Sequence, residues 1–364
     1  MKNTIGHSVC LTIFGESHGA ATGAVLDGMA PGIEVSEEYI KEQLALRAPF
    51  GKISTTRHET DEFEILSGVF GGKTTGTPIT IMIRNSGAHS ADYSETRFIP
   101  RPGHADYTAF EKYHGFEDYR GGGHFSGRLT AALTAAGAIC RTALKSRGIE
   151  LGTHLKRCAR ISDRDFKDLE ADIKKLSALP FPVLNDGTAE KMTAAATAAA
   201  QEGDSVGGVL ETAVINFPAG VGEPFFDSAE SRLSHILFSI PAVKGVQFGD
   251  GFALSDMRGS LSNDAFYADE NGRIKTKSNH NGGINGGITN GMPIIFSCAV
   301  KPTPSIYLPQ ESVDLKSGKN TTLTVKGRHD PLIAHRAAAA VNAAVSLTLC
   351  DLLAERFGTD YFAG

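Results

Sequence analysis

The chain has 364 residues, 41% hydrophobic and 21% charged, with a net charge of -5. That balance belongs to a folded globular protein rather than a disordered one. The acidic total excludes a general polyanion binder such as a nucleic-acid protein, yet leaves room for a local basic pocket. Five cysteines (Cys10, Cys140, Cys158, Cys298, Cys350) are odd in number and form no C-x-x-C pair, which argues against a disulfide framework or zinc site and fits a reducing, cytoplasmic setting. The opening Met1-Lys2-Asn3-Thr4-Ile5-Gly6-His7 has no apolar leader, and no stretch is expected to reach the roughly 18 apolar residues of a membrane span.

In chain order, residues 37–46 predict a helix capped by Ser36, with Arg47 just past its end. Residues 78–83 predict a strand from their β-branched content and near alternation. Helices follow at 129–146, 165–176 and 189–201, then a strand at 208–215. The last helix, 334–356, is the longest; one side is almost entirely small or apolar, so it is expected to be buried. The polar stretches 86–99 and 268–283 read as loops able to cover a site.

Two internal echoes link the halves of the chain. Gly72-Lys73-Thr74-Thr75-Gly76-Thr77-Pro78-Ile79 resembles Gly287-Ile288-Thr289-Asn290-Gly291-Met292-Pro293-Ile294, and Gly15-Glu16-Ser17-His18-Gly19 resembles Gly203-Asp204-Ser205-Val206-Gly207. Convergent glycine turns and an ancient duplication both explain them, and in either case only the first copy has a titratable His18. No linker separates the halves, so 1–364 reads as one α+β domain with two related lobes.

The 41 glycines gather beside histidines and arginines, where backbone N–H groups can approach a ligand closely. Ser17-His18, the run Arg101-Pro102-Gly103-His104-Ala105-Asp106, the run Arg120-Gly121-Gly122-Gly123-His124-Phe125-Ser126-Gly127-Arg128 and the run Gly327-Arg328-His329-Asp330 form that set. Histidine titrates near neutrality, which makes His18 and His104 candidate proton donors. The planar forks of Arg47, Arg101, Arg120, Arg128, Arg328 and Arg336 suit phosphate or carboxylate, and Lys301-Pro302-Thr303-Pro304-Ser305 adds a cation and hydroxyls. His7, His58, His89, His114, His154, His235, His280 and His335 lack that framing and read as mostly structural. Neither G-x-G-x-x-G nor a P-loop occurs, and H-E-x-x-H is absent, so no metal is expected.

These segments, with Glu64-Ile65-Leu66-Ser67-Gly68-Val69-Phe70, Ala242-Val243-Lys244-Gly245, Ser278-Asn279-His280 and Gly282-Gly283, make the whole chain resemble the chorismate synthase family. The resemblance implies a β-α-β sandwich, a homotetramer, and 1,4-anti elimination of phosphate from 5-enolpyruvylshikimate 3-phosphate, with reduced FMN required but not consumed. It implies that His18 protonates the departing phosphate, that His104 donates a proton to the reduced flavin, that Asp330 assists removal of the ring proton, and that Ser17 hydrogen-bonds in the site. FMN contacts would come from His124, Phe125, Ser126, Gly286, Lys301, Pro302, Thr303, Pro304, Ser305 and Arg328. Arg47, Arg101 and Arg128 would hold substrate or NADPH.

Where the family has three arginines before Pro-Gly, this chain reads Ala45-Leu46-Arg47-Ala48-Pro49-Phe50-Gly51, and Lys52, His124 and Asn342 replace the family's usual arginine, arginine and glutamate. The thinned run leans toward an external flavin reductase rather than NADPH as the source of electrons. An FMN-dependent oxidoreductase and a non-catalytic flavin or phosphate module are the competing readings. The first would consume reductant stoichiometrically, and the second leaves Ser17-His18 and Asp330 unexplained.

Overall fold

The computed structural model describes residues 2–49, 51–54, 61–85, 96–325 and 329–363. His58, His89, Arg328, residues 86–95 of the first proposed covering loop and the side chain of Lys52 lie outside the described residues.

Alternation of apolar and polar positions builds two antiparallel sheets of five strands each. The first orders Thr4–Ile5, Cys10–Gly15, Ala21–Asp27, Ile79–Arg84 and Phe63–Ser67. Within it Ile79, Ile81 and Ile83 are fully buried while Thr80 and Met82 between them are not, as period two requires. The second sheet orders Val243–Phe248, Ile294–Val300, Gly208–Ile215, Glu150–Cys158 and Ile161–Ser162.

Between the sheets lie the helices Glu37–Arg47, Thr130–Ser146, Ala229–Leu237 and Ala334–Phe357, and one apolar cluster runs through sheets and helices alike. This is the expected α+β sandwich. Ser36 caps Glu37–Arg47 by accepting from Tyr39 N at 3.1 Å. The helix predicted from residue 165 starts at Leu169 instead, because Asp168 accepts from Ala171 N at 3.1 Å and Asp165 is drawn away to Lys156.

Thr130–Ser146 and Ala334–Phe357 are rich in alanine, which lets them cross closely: a Cβ on Gly137 would sit 2.5 Å from Ala343 Cα. The latter helix, contrary to the sequence expectation, is long and apolar enough by itself to cross a membrane. Here it is instead the buried centre of the sandwich, and Asp351 near its end accepts the backbone N–H groups of His7, Ser8 and Val9 and pairs with Arg232. Asn342 in that helix accepts Thr153 Oγ1 at 2.7 Å, and Thr153 in turn accepts Thr212 Oγ1 at 2.8 Å, a polar chain tying helix to second sheet.

The two echoes occupy matching places. Each Gly-containing loop, 15–19 and 203–207, leads into the strand that pairs with the strand following the other echo: Ala21–Asp27 with Ile79–Arg84, and Gly208–Ile215 with Ile294–Val300. The hairpins match in detail. Thr74 Oγ1 donates to Ala30 O at 2.6 Å and accepts from Ile33 N at 2.9 Å. Thr289 Oγ1 donates to Pro218 O at 2.7 Å and accepts from Val221 N at 3.1 Å. Such agreement in buried side-chain bonds favours duplication over convergent turns. The stretch 268–283 is partly built into structure: Ile274–Thr276 pairs with Phe266–Ala268, and Asp264 accepts from Ser278, His280 N and Asn281.

Candidate active site

A cavity of about 950 Å³ opens where segments of both lobes meet. Its wall includes Ser17, Arg47, Asp61, Arg101, His104, His124, Phe125, Ser126 and Arg128 from the first half, and Lys301, Thr303, Pro304, Ser305, His329, Asp330 and Arg336 from the second. The volume is that of a site for a drug-sized ligand or larger.

The glycine trio sets the positions of the two candidate histidines. Gly121 and Gly122 have φ of 59° and 84°, a conformation glycine adopts without strain. A Cβ on Gly121 would overlap the ring of His18, and one on Gly122 would come within 3.1 Å of His104 Cε1. His18 and Ser17 are held by Ser17 N donating to Gly123 O at 3.1 Å, and by Asn85 Nδ2 donating to Glu16 O and Gly19 O, both at 2.9 Å. His18 is buried behind Gly121 and does not itself line the cavity, whereas Ser17 does.

His104 is oriented by Asp106. Its Nδ1 lies 2.7 Å from Asp106 Oδ1, and Arg101 grips the same carboxylate through Nε and Nη2, both at 2.7 Å. Burial pushes the Asp106 carboxyl up, but the hydrogen bonds from Arg101 and His104 outweigh it and hold the group well below the usual carboxylate range. An ionised Asp106 keeps the proton on Nδ1, so Nε2 is the atom of His104 left to exchange protons.

The second lobe is tied to the same segment. Arg101 Nη1 donates to Ser305 Oγ at 3.3 Å, and Lys301 Nζ donates to Gly103 O. Thr303 Oγ1 donates to Asp330 O at 2.7 Å, and Asp330 forms an ion pair with Arg336, whose Nε donates to Arg47 O at 2.8 Å. His124 Nδ1 donates to Gly15 O at 2.8 Å, and Ser126 accepts from Arg128 N at 3.3 Å, capping the turn Gly127–Leu129.

Pro302 and Gly286 do not line this cavity. Gly286 is the turn residue between Ile284–Asn285 and Ile288–Thr289, the counterpart of Gly71 in the first lobe. Among the described residues no group of three or more His, Cys, Asp and Glu is placed to hold a metal ion.

A model of the family described as chorismate synthase matches residues 9–354. The chain belongs to the chorismate synthase family. It is 44% identical over 352 residues to the chorismate synthase of Thermococcus kodakarensis, covering 96% of this chain and 97% of that one. To the chorismate synthase of Aeropyrum pernix it is 45% identical over 356 residues, covering 97% and 93%. A solved structure titled "Crystal Structure of Chorismate Synthase" superposes with a TM-score of 0.74 at 28% identity, covering 97% of this chain and 94% of that one.

All four glycine-framed segments contribute to the cavity wall, but it holds other residues that their spacing did not reveal. His329, in a quoted segment but given no role, lines the wall; burial and the nearby Arg101 push its imidazole down to about 4, so it is neutral at pH 7. His235, grouped with the structural histidines, also lines it, as do Lys2, Pro241, Ala242 and Lys244. Lys244 lay within a quoted motif. Asp61 and His235 carried no local signal, since only the fold brings them to the wall.

Proposed function

We propose that this chain is a chorismate synthase, releasing phosphate from 5-enolpyruvylshikimate 3-phosphate by 1,4-anti elimination to leave chorismate, with reduced FMN required but not consumed. One observation carries the reading: a single cavity wall combines an Asp106-oriented histidine with Arg47, Arg101, Arg128, Lys301 and Arg336. A substrate with one phosphate and two carboxylates needs such a set of cations.

The wall also suits a flavin. Phe125, Leu133, Pro304 and Ile333 offer apolar surface for a flat ring, and Lys301, Thr303 and Ser305 offer donors for its phosphate. His124, Ser126, Arg328, Pro302 and Gly286 are further contacts carried over from the resemblance. Bound reduced FMN supplies electron density as the carbon–oxygen bond to phosphate weakens.

The chain's own groups do the proton work. His18 gives a proton to the departing phosphate, and Ser17 hydrogen-bonds beside it. His104, with Nδ1 fixed on Asp106, holds an exchangeable proton at Nε2 for the flavin. Asp330, held by Arg336, assists removal of the ring proton as the new double bond forms. Arg47, Arg101 and Arg128 hold the anionic groups.

We further read residues 1–364 as one catalytic domain, acting as a homotetramer in the cytoplasm, with the flavin reduced by NADPH or by an external flavin reductase. The exposed Phe225, Phe226, Phe252 and Phe266 support association with further copies. The test is paired substitution: His18→Ala and His104→Ala should each lower kcat by ~10²- to 10⁴-fold while fluorescence titration finds FMN binding retained. Near-normal turnover in both variants overturns the roles.

A further inference from the structure

Arg47 ends the helix Glu37–Arg47, and Arg128 sits in the turn Gly127–Leu129; both are buried side chains on the cavity wall. They converge on one carboxylate. Arg47 Nη2 lies 3.2 Å from Asp61 Oδ2, and Arg128 Nη1 donates to Asp61 Oδ1. Asp61 lines the same cavity, with its side chain 10% exposed. Each oxygen of Asp61 thus takes one guanidinium, the arrangement two arginines adopt around a bound phosphate or carboxylate.

We infer that Asp61 is the resident counter-anion of an Arg47–Arg128 seat, and that the substrate's phosphate must displace it to bind there. The proposal rests on the reading of Arg47 and Arg128 as substrate-holding residues. Two guanidiniums buried without a counter-charge would be costly, so a resident carboxylate offsets part of their charge in the empty site. It also competes. An internal competitor weakens every anion by one common factor, so only a ligand with strong intrinsic affinity occupies the seat. A phosphate monoester, carrying about -1.5 to -2 charges near neutrality and three acceptor oxygens, meets that demand where a lone carboxylate does not.

The experiment is calorimetric titration of the full chain with inorganic phosphate and, separately, acetate. Asp61→Asn should bind both about tenfold more tightly, and by the same factor, while Asp61→Glu stays near the parent value. Unchanged or weaker binding in Asp61→Asn overturns the proposal. So does a gain whose logarithm for phosphate is about twice that for acetate, the mark of a field effect on a ligand bound elsewhere. If Arg47→Ala and Arg128→Ala leave phosphate affinity untouched both with Asp61 and in the D61N background, it is the reading of the arginines that fails. Should Asp61→Asn not fold, crystals of the unaltered protein soaked in phosphate decide. Phosphate between the two guanidiniums with Asp61 turned away supports displacement; both ion pairs intact overturn it.

Discussion

His18 and His104 stand against neighbouring glycines, and the missing Cβ atoms of Gly121 and Gly122 are what allow both rings to approach one backbone turn. Gly121→Ala would push a methyl into the His18 ring at a positive φ. Misplacement of a catalytic group by about 1 Å can cost ~10²-fold, so kcat should fall by that order. Gly259→Ala, with open space around it and away from the cavity wall, should leave turnover near normal. Equal activities in the two variants would remove the packing argument. The glycine framing is why these histidines were legible in the sequence. Asp61 and Asp330's partner Arg336 were not assigned those roles, because ion pairs between distant segments leave no trace in local spacing.

Another residue-scale consequence lies away from the cavity. His154 is fully buried, with Nδ1 at 3.0 Å from Asp163 and Nε2 at 2.9 Å from Glu211, which Lys156 also contacts at 3.2 Å. Burial pushes the imidazole down, but the bonds to Asp163 and Glu211 outweigh it and raise the group above 6.5. Asp163, raised by burial, is lowered overall by His154 and the Leu184 and Asn185 amides. A raised folded value contributes stability below 6.5 that is lost as pH rises through that folded value. The lowered Asp163 contributes stability above the ordinary carboxylate range and loses it as pH falls. The Tm deficit of His154→Gln should therefore be greatest between those limits and shrink in alkali. A deficit independent of pH would mean the imidazole is neutral when folded.

At the scale of elements, the crossing of Thr130–Ser146 and Ala334–Phe357 at Gly137 and Ala343 fixes how closely the two lobes approach. Overpacking a core typically costs ~1–3 kcal/mol, so Gly137→Ala should lower Tm accordingly, and adding Ala343→Gly should recover part of the loss. No change in Tm would mean that the helices separate freely. The helices were legible from their period and caps. The short turn Arg120–Phe125 was not, since the positive φ of Gly121, Gly122 and Gly123 follows no periodic pattern. Asn342 illustrates the limit: its place in a helix was evident, but its bond to Thr153 depends on a strand 189 positions away.

Across the whole molecule, two related lobes share one helical centre, and each echo loop backs a different part of the cavity. Loop 15–19 holds the glycine trio through Ser17, while in loop 203–207 Ser205 Oγ donates to Thr303 O at 2.7 Å and Val206 N to Pro331 O at 2.8 Å. With His18 in one loop and Val206 in the other, the duplicated framework presents an imidazole on one side and only positioning contacts on the other. The echoes were visible in the sequence; their division of labour required the pairing of strands far apart in the chain.

The measurement closest to the central claim is anaerobic release of phosphate and chorismate from 5-enolpyruvylshikimate 3-phosphate by the purified chain, with FMN reduced in advance and supplied well below substrate. The account predicts equal amounts of both products and many turnovers per flavin. Product limited to the flavin supplied would contradict a redox-neutral elimination, and no product at all would contradict the enzyme assignment.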